Sequence, residues 1–99
     1  MLVEKFGEWI QEQRKKSGLS QRQLAVLINI SNTEISRIES GERKRPAPYI
    51  LKRIAPHIGI SYRVLLEIAG YGELFVEKET DLTLDELRKI EEYKSFLLS

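Results

Sequence analysis

The 99-residue chain contains no cysteine and one histidine, and these shortages exclude several kinds of site. Disulfide frameworks and thiol catalysis are ruled out, and a zinc site lacks its usual ligands. His57 lies between Pro56 and Gly59, a position typical of a helix end rather than of a catalyst. The acidic residues do not have calcium-loop spacing, and no glycine-rich phosphate motif precedes a helix. We therefore predict a protein that is not an enzyme, with no catalytic residue, no metal site and no cofactor.

Long apolar runs are also lacking. No stretch approaches the roughly 18 apolar residues that a membrane-spanning helix needs. Charged residues, among them Glu4, Lys5, Glu8 and Arg14, interrupt the first 20 positions, unlike the apolar core of a signal peptide. With 41% hydrophobic and 31% charged residues, the composition suits one small domain with one core. The expected location is the cytoplasm.

The net charge of +1 conceals an uneven distribution along the chain. Residues 1–69 carry 12 Lys and Arg against 7 Asp and Glu, a balance of +5, whereas residues 70–99 carry 4 against 8, a balance of −4. The densest basic stretch is Arg43, Lys44 and Arg45, in a loop context between a glycine and a proline. The basic part suits a polyanion, and the acidic part suits another partner, such as a second copy. The alternative is that both are ordinary solvated helix faces.

Start and stop signals in residues 1–70 predict five helices, and no segment alternates long enough to predict a strand. The first helix covers about residues 3–16. Pro48 suits the first turn of the fourth helix, whereas Pro56 is expected to kink that helix or to end it early. Ser61 is the predicted cap of the short fifth helix.

Two capping signals eleven residues apart define the second and third helices. In each signal a serine precedes by three residues a side chain that can hydrogen-bond back to the serine N–H. The two pairs are Ser20 with Gln23 and Ser31 with Glu34. The two helices therefore begin one residue after each serine. The short connection between them requires a tight turn, in which Asn29 is the residue best able to adopt a left-handed conformation.

Residues 71–81 are predicted to form a linker, and residues 82–99 a C-terminal amphipathic helix. The apolar stripe of this helix is too large to remain in water, so it either folds back on the domain or packs against a partner. We expect self-association, with the helix serving for dimerisation or partner binding. The predicted interface residues are Leu87, Ile90, Tyr93 and Leu97.

Two short helices joined by a tight turn are the arrangement that places a helix in the major groove of DNA. In the third predicted helix, Ile35 and Ile38 fall on the inner side. The opposite side carries polar residues that can hydrogen-bond to base edges or contact a thymine methyl group. Although any surface helix has a polar side, this set predicts base contacts by Asn32, Thr33, Ser36 and Arg37.

Both flanks of this helix offer groups that suit phosphate. The start of the second helix has free backbone N–H groups, and the basic loop after the third helix would meet the DNA backbone across the groove. Phosphate contacts fix the register of a protein on DNA without reading its sequence. The predicted phosphate contacts are Gln21, Arg22, Ser40, Arg43, Lys44 and Arg45.

Residues 19–41 resemble the helix-turn-helix of the phage repressor/Cro family, also called Xre-like regulators, and the similarity covers about residues 3–70. Asn29 stands where relatives usually have glycine. The resemblance implies a five-helix domain that binds operator DNA as a dimer, and a structural ion pair between Arg14 and Glu39. It also implies that Gln21 contacts phosphate and supports the recognition helix. The residues that carry it are Leu19, Ser20, Gln21, Leu24, Ala25, Ile30, Ser31, Ile35, Ser36, Ile38, Glu39 and Gly41.

These observations predict a bacterial or phage transcriptional regulator that binds double-stranded DNA sequence-specifically as a homodimer. We expect a repressor rather than an activator, reading the operator major groove with its third helix. The alternative is an antitoxin or adaptor protein in which residues 82–99 bind a protein partner and DNA contact is secondary.

Overall fold

A computed structural model describes residues 5–72 and 82–98, and within these two ranges the secondary structure is entirely helical. None of the helices there has the length and apolar character needed to cross a membrane. The predicted fold class is confirmed, while most of the predicted linker 71–81 lies outside the described residues. In chain order the helices are α1 (Phe6–Lys16), α2 (Gln21–Ile28), α3 (Asn32–Ser40), α4 (Pro48–Ile58), α5 (Tyr62–Ile68) and α6 (Leu84–Leu98).

The capping signals start α2 and α3 where the sequence predicts. Ser20 Oγ accepts from the Gln23 N–H at 3.0 Å, and the Gln23 side chain accepts from the Ser20 N–H at 2.8 Å, a complete capping box. Ser31 Oγ accepts from the Glu34 N–H at 3.0 Å. The prediction that Glu34 returns to Ser31 is wrong, because its carboxylate binds Arg43 instead. A guanidinium is the stronger donor to a carboxylate.

The turn between α2 and α3 depends on one residue in the left-handed region. Asn29 has φ 56° and ψ 45°, as predicted. Its own N–H donates to the Val26 carbonyl at 3.3 Å, and the following Ile30 N–H donates to the Ala25 carbonyl at 3.1 Å. These bonds satisfy carbonyls at the end of α2 and turn the chain directly into α3.

Packing of α1 on α3 requires a glycine. Phe6, Trp9 and Ile10 of α1 are buried together with Ile38 of α3 in the core. A Cβ atom at Gly7 would overlap the Ile38 carbonyl oxygen and would lie 2.8 Å from that of Glu39. The two helices approach closely because position 7 has no side chain, and this contact fixes the C-terminal half of α3. No sequence pattern marked Gly7.

Helix α4 continues through Pro56 to Ile58 and ends at Gly59, which has φ 69°. Of the two outcomes predicted at Pro56, early termination is therefore wrong, and a kink stays a prediction. Pro56 and Lys52 both lie on the exposed side of α4, where water can bond the carbonyl that loses its partner. The proline affects a single bond near the helix end, and the buried side of α4 continues unbroken.

Helix α6 folds back on the domain. Tyr93 is fully buried and packs edge-on against Trp9 of α1, with ring centroids 5.2 Å apart. Ile90 is also buried in the core, and Leu97 is partly buried against it. For Ile90 and Tyr93 the predicted partner interface is corrected, because their own chain already covers them. Leu87 remains 45% exposed.

Candidate nucleic-acid interface

The polar side of α3 is open to solvent. Ile35 and Ile38 are buried at 1% exposure each, so the rotation of the helix is fixed by the core. The side chains predicted to read bases are all exposed and lie on the opposite side: Asn32, Thr33, Ser36 and Arg37. A helix held in this way presents hydrogen-bonding groups as a rigid surface.

A buried ion pair joins α1 to α3. Arg14 donates from Nε to Glu39 Oε2 at 2.7 Å and from Nη2 to Glu39 Oε1 at 3.0 Å. The two side chains are 6% and 2% exposed. Arg14 also donates from Nη1 to the Leu19 carbonyl at 2.6 Å, which ties the chain before α2 to the same group. The ion pair implied by the family resemblance is thus formed, and it joins α1 to α3 within the core.

Gln21 belongs to this network. Its Nε2 donates to Glu39 Oε1 at 2.9 Å, so Glu39 receives hydrogen bonds from both α1 and α2. The first residue of α2 therefore fixes the angle between α2 and α3. Gln21 thus supports α3 through Glu39, whereas its contact with phosphate stays a prediction.

Arg43 in the basic loop is held by α3. Its Nε and Nη2 donate to the Glu34 carboxylate at 2.7 and 2.9 Å, a two-pronged ion pair. Hydrogen bonding by Arg43 lowers the pKa of the Glu34 carboxyl below its ordinary value, and Glu34 in turn raises the pKa of the Arg43 guanidinium. Both groups remain charged at neutral pH.

Two other arginines also have partners in the chain. Arg37 Nε lies 3.5 Å from Glu42 Oε2, a longer contact between two exposed side chains. Arg45 donates from Nη2 to the Gly70 carbonyl at 2.6 Å and stacks on the Tyr71 ring at 4.3 Å. Arg45 thus anchors the loop to the end of α5, a role that its predicted contact with phosphate did not include.

Arg22, Ser40 and Lys44 complete the predicted phosphate contacts. Arg22 and Lys44 are exposed and form no ion pair or hydrogen bond within residues 5–72 and 82–98. Arg22 is the second residue of α2, and Lys44 lies in the loop between α3 and α4. Ser40 closes α3, because its Oγ donates to the Arg37 carbonyl at 3.2 Å and accepts from the Glu42 N–H at 3.3 Å.

An open groove of about 670 Å³ lies between the start of α3 and the start of α4. Glu34, Arg43 and Tyr49 are among its lining residues. Tyr49 is 56% exposed, and the Arg53 guanidinium lies 5.4 Å from its ring centroid. Neither residue was predicted as part of the site. A tyrosine shortly after the basic loop, in the first turn of the helix predicted to begin at Pro48, is the sequence signal that indicates Tyr49, and no signal marks Arg53.

The acidic side chains on and just after α3 are engaged with arginines in residues 5–72 and 82–98. Among these residues, no three His, Asp or Glu side chains come close enough together to hold a metal ion. The carboxylates nearest to α3 are Glu34, Glu39 and Glu42, and each of them is paired with an arginine.

The chain is similar in sequence to known transcriptional regulators that contain a helix-turn-helix. The HTH-type transcriptional repressor RghR of Bacillus subtilis is 39% identical over 71 residues, which are 72% of this chain and 53% of the repressor. An uncharacterised HTH-type transcriptional regulator of the same organism, RghRB, is 37% identical over 73 residues, 74% of this chain and 52% of its own. A further uncharacterised HTH-type transcriptional regulator, from Mycobacterium tuberculosis, is 39% identical over 67 residues, 68% of this chain and 47% of its own.

The chain spans about half the length of the curated relatives it matches. No solved structure matches it with significance. The helix-turn-helix family matches residues 10–65, more than half of the chain, a range that contains α2, the turn at Asn29 and α3. The chain therefore belongs to the helix-turn-helix family, and the resemblance to Xre-like regulators is confirmed.

Proposed function

We propose that this chain is a sequence-specific DNA-binding transcriptional regulator that inserts α3 into the major groove. The observation that carries the proposal is the open polar side of α3, fixed in orientation by the buried Ile35 and Ile38 and by the Arg14–Glu39 pair. Relatives named as HTH-type transcriptional regulators support the same function. Membership of this family also supports the prediction that the chain is not an enzyme.

The exposed side chains of α3 have the chemistry needed to read base edges. Asn32 can form two hydrogen bonds with adenine, and Arg37 can do the same with guanine. The Thr33 methyl group can contact a thymine methyl, and Ser36 can donate or accept. In this proposal these residues define the operator sequence. The buried contacts of α3 with the core hold them rigidly enough to do so.

Phosphate contacts in this proposal lie on both flanks of α3. Arg22 at the start of α2 and Lys44 in the loop are available as cations, and the exposed N–H groups of the first turn of α2 suit an anion. Arg43 reaches phosphate with the donors that Glu34 leaves unused. Gln21, Ser40 and Arg45 complete the proposed set, each restrained by its own internal hydrogen bonds.

Repression by a homodimer is the finer part of the proposal. One relative is named as a repressor, and occupation of an operator is the simplest mechanism by which a DNA-binding domain represses. Helix α6 presents exposed leucines that a second copy can cover: Leu84 at 72%, Leu87 at 45% and Leu98 at 89% exposure. Two copies related by a two-fold axis would read a near-palindromic operator.

The same leucines favour a second candidate function. An antitoxin or adaptor protein would use the outer side of α6 for a protein partner, with DNA binding as secondary autoregulation. The double variant Leu84→Glu with Leu87→Glu distinguishes the two, since neither side chain belongs to the core. If the variant becomes monomeric and loses affinity for a palindromic duplex, the leucines serve dimerisation. If DNA binding is unchanged, the adaptor function is favoured.

Selection of bound sequences from random duplexes tests the main proposal. The purified chain is expected to enrich one near-palindromic motif, and its affinity is expected to fall steeply with salt. Alanine at Asn32, Thr33 or Arg37 should change the enriched motif at separate positions. If no motif is enriched and no duplex binds even at low salt, the proposal is overturned.

A further inference from the structure

The Glu34 carboxylate occupies the place at Arg43 that a phosphate group would take. It accepts from Nε and Nη2 at 2.7 and 2.9 Å, the two-pronged geometry that arginine also uses for phosphate. A guanidinium has five N–H donors, so three remain for another partner. Glu34 itself is only 17% exposed, whereas Arg43 is 46% exposed. The Glu34 carboxylate therefore lies against the surface of α3, and the Arg43 guanidinium covers this carboxylate.

This pairing limits how Arg43 can meet DNA. An unrestrained arginine on a loop can reach a phosphate in any register of the protein along the duplex. Held by Glu34, the guanidinium keeps one position relative to α3 and meets a phosphate only when α3 is seated at one depth and angle. The formal charge of the pair is zero, so loosely docked complexes gain little from it.

We propose that Glu34 is a specificity-determining residue, which holds Arg43 and thereby weakens sequence-independent binding more than operator binding. The inference rests on the proposed DNA-binding function. It predicts that Glu34→Gln, which keeps the size of the side chain and removes its charge, releases Arg43 to contact phosphates in any register. Specificity then falls while affinity for unrelated DNA rises.

The experiment compares the wild-type chain with Glu34→Gln and with a matched control, Glu91→Gln. Glu91 lies on α6 and pairs with Lys94 at 3.6 Å, so the control has the same change of charge away from α3. Binding to the duplex enriched by selection and to a scrambled duplex of equal length is measured by fluorescence anisotropy. A salt series from about 50 to about 300 mM gives the slope for each duplex. Circular dichroism verifies that each variant is folded.

For Glu34→Gln, affinity for the scrambled duplex is expected to rise about eightfold at 0.1 M salt, which is the contribution of one released counterion. The slope should steepen by about 0.9, and affinity for the selected duplex should change less. Glu91→Gln should have little effect on either duplex. If Glu34→Gln leaves the scrambled duplex unchanged, or strengthens both duplexes equally, the inference is wrong although the proposed function stands. If the wild-type chain binds neither duplex, both fail together.

A second pair of variants tests whether Glu34 acts through Arg43. When Arg43→Ala is already present, Glu34→Gln should give a smaller gain on the scrambled duplex, because no guanidinium is left to release. An equal gain in both backgrounds would mean that the Glu34 charge repels DNA directly, and the positioning role would be overturned.

Discussion

Arg14 and Arg43 both form two-pronged ion pairs with a glutamate, but their surroundings give these pairs different roles. Arg14 and Glu39 are almost fully removed from water. Arg43 is nearly half exposed and lies on the surface that would face DNA. A buried charge that loses its partner is costly, whereas a partly exposed pair contributes little to stability. The first pair therefore belongs to the scaffold, whereas in our proposal the second serves DNA binding.

Glu39→Gln should lower the free energy of unfolding by about 3–5 kcal/mol, because the Arg14 charge would remain buried without a counterion. Urea denaturation followed through Trp9 measures the loss. Glu12→Gln is the matched control, since Glu12 pairs with Lys16 at 3.4 Å and both side chains are largely exposed. The control should cost less than about 1 kcal/mol. Equal losses in the two variants would contradict the structural role of the buried pair.

Arg37→Ala and Lys44→Ala should weaken DNA binding in different ways. Loss of Arg37 should cost about 1–3 kcal/mol at one base position and relax the preference there. Loss of Lys44 should weaken all duplexes alike and flatten the salt slope by about one unit. Affinities for the selected duplex and its single-base variants, measured over a salt series, separate the two effects. An unchanged base preference in Arg37→Ala would remove it from the reading set.

The sequence predicts sides of helices better than it predicts partners. Helical spacing correctly places Ile35 and Ile38 inside and Asn32 outside, because period and polarity are local properties. The pair of Glu34 with Arg43 depends on the path of the loop after α3, and the bond from Arg45 to Gly70 joins residues 25 positions apart. Contacts of this kind follow from tertiary packing, which capping and spacing do not encode.

At the scale of helices, capping residues carry most of the predictable information. Ser20, Ser31 and Ser61 each accept an N–H bond at the start of a helix, as the sequence predicts. Pro56 shows the limit of such rules, because the cost of a proline depends on whether water reaches the freed carbonyl. For α6 the sequence favours self-association over docking on its own domain, and for Ile90 and Tyr93 this expectation is wrong, because helical spacing indicates an apolar stripe but not what covers it.

Docking of α6 should depend on the ionisation of Glu86. Its carboxylate accepts from the Thr83 N–H at 2.9 Å and from the Ser61 hydroxyl of the α5 cap at 2.8 Å. The Thr83 backbone bond, followed by the Ser61 bond, lowers the pKa of Glu86 below its ordinary value. The folded state thus favours the charged form. Its stabilisation is present above the ordinary pKa of about 4.3 and is lost as pH falls through the lowered folded value.

The corresponding measurement compares thermal stability of the wild-type chain and Glu86→Gln at pH 7 and at about pH 3. Glu86→Gln should be less stable at pH 7, and the difference from wild type should shrink at the lower pH. Trp9 reports on the docking itself, because its ring contacts Tyr93 of α6. Glu91→Gln is the matched control, because it removes a carboxylate from an exposed position of the same helix. Parallel profiles for the wild-type chain and Glu86→Gln would show that this carboxylate does not stabilise the docked helix.

At the scale of the whole molecule, exposed cations lie next to α3 in the chain, and acidic residues lie in the first turn of α6. The cations are Arg22 in the first turn of α2 and Lys44 in the loop after α3, and the acidic residues are Asp85 and Glu86. Because Tyr93 and Ile90 fix α6 against the core, its exposed leucines have a defined orientation. A partner bound to them would be held rigidly relative to α3. If that partner is a second copy, the spacing between the two α3 helices would be a property of the assembly.

If two copies bind one operator, the distance between half-sites should be set by the protein rather than by the DNA. Reading helices on the same side of B-DNA are separated by one duplex turn, about 34 Å or 10 base pairs. Inserting about five base pairs between the selected half-sites rotates one of them to the opposite side of the duplex, where a rigid dimer does not reach it. Affinity for this duplex should then fall to that of a single half-site. Insertion of about ten base pairs instead displaces the half-site along the duplex and leaves it on the same side. Electrophoretic mobility shifts with the three duplexes measure this directly. Equal affinity for all three would mean that each copy of the chain reads DNA independently.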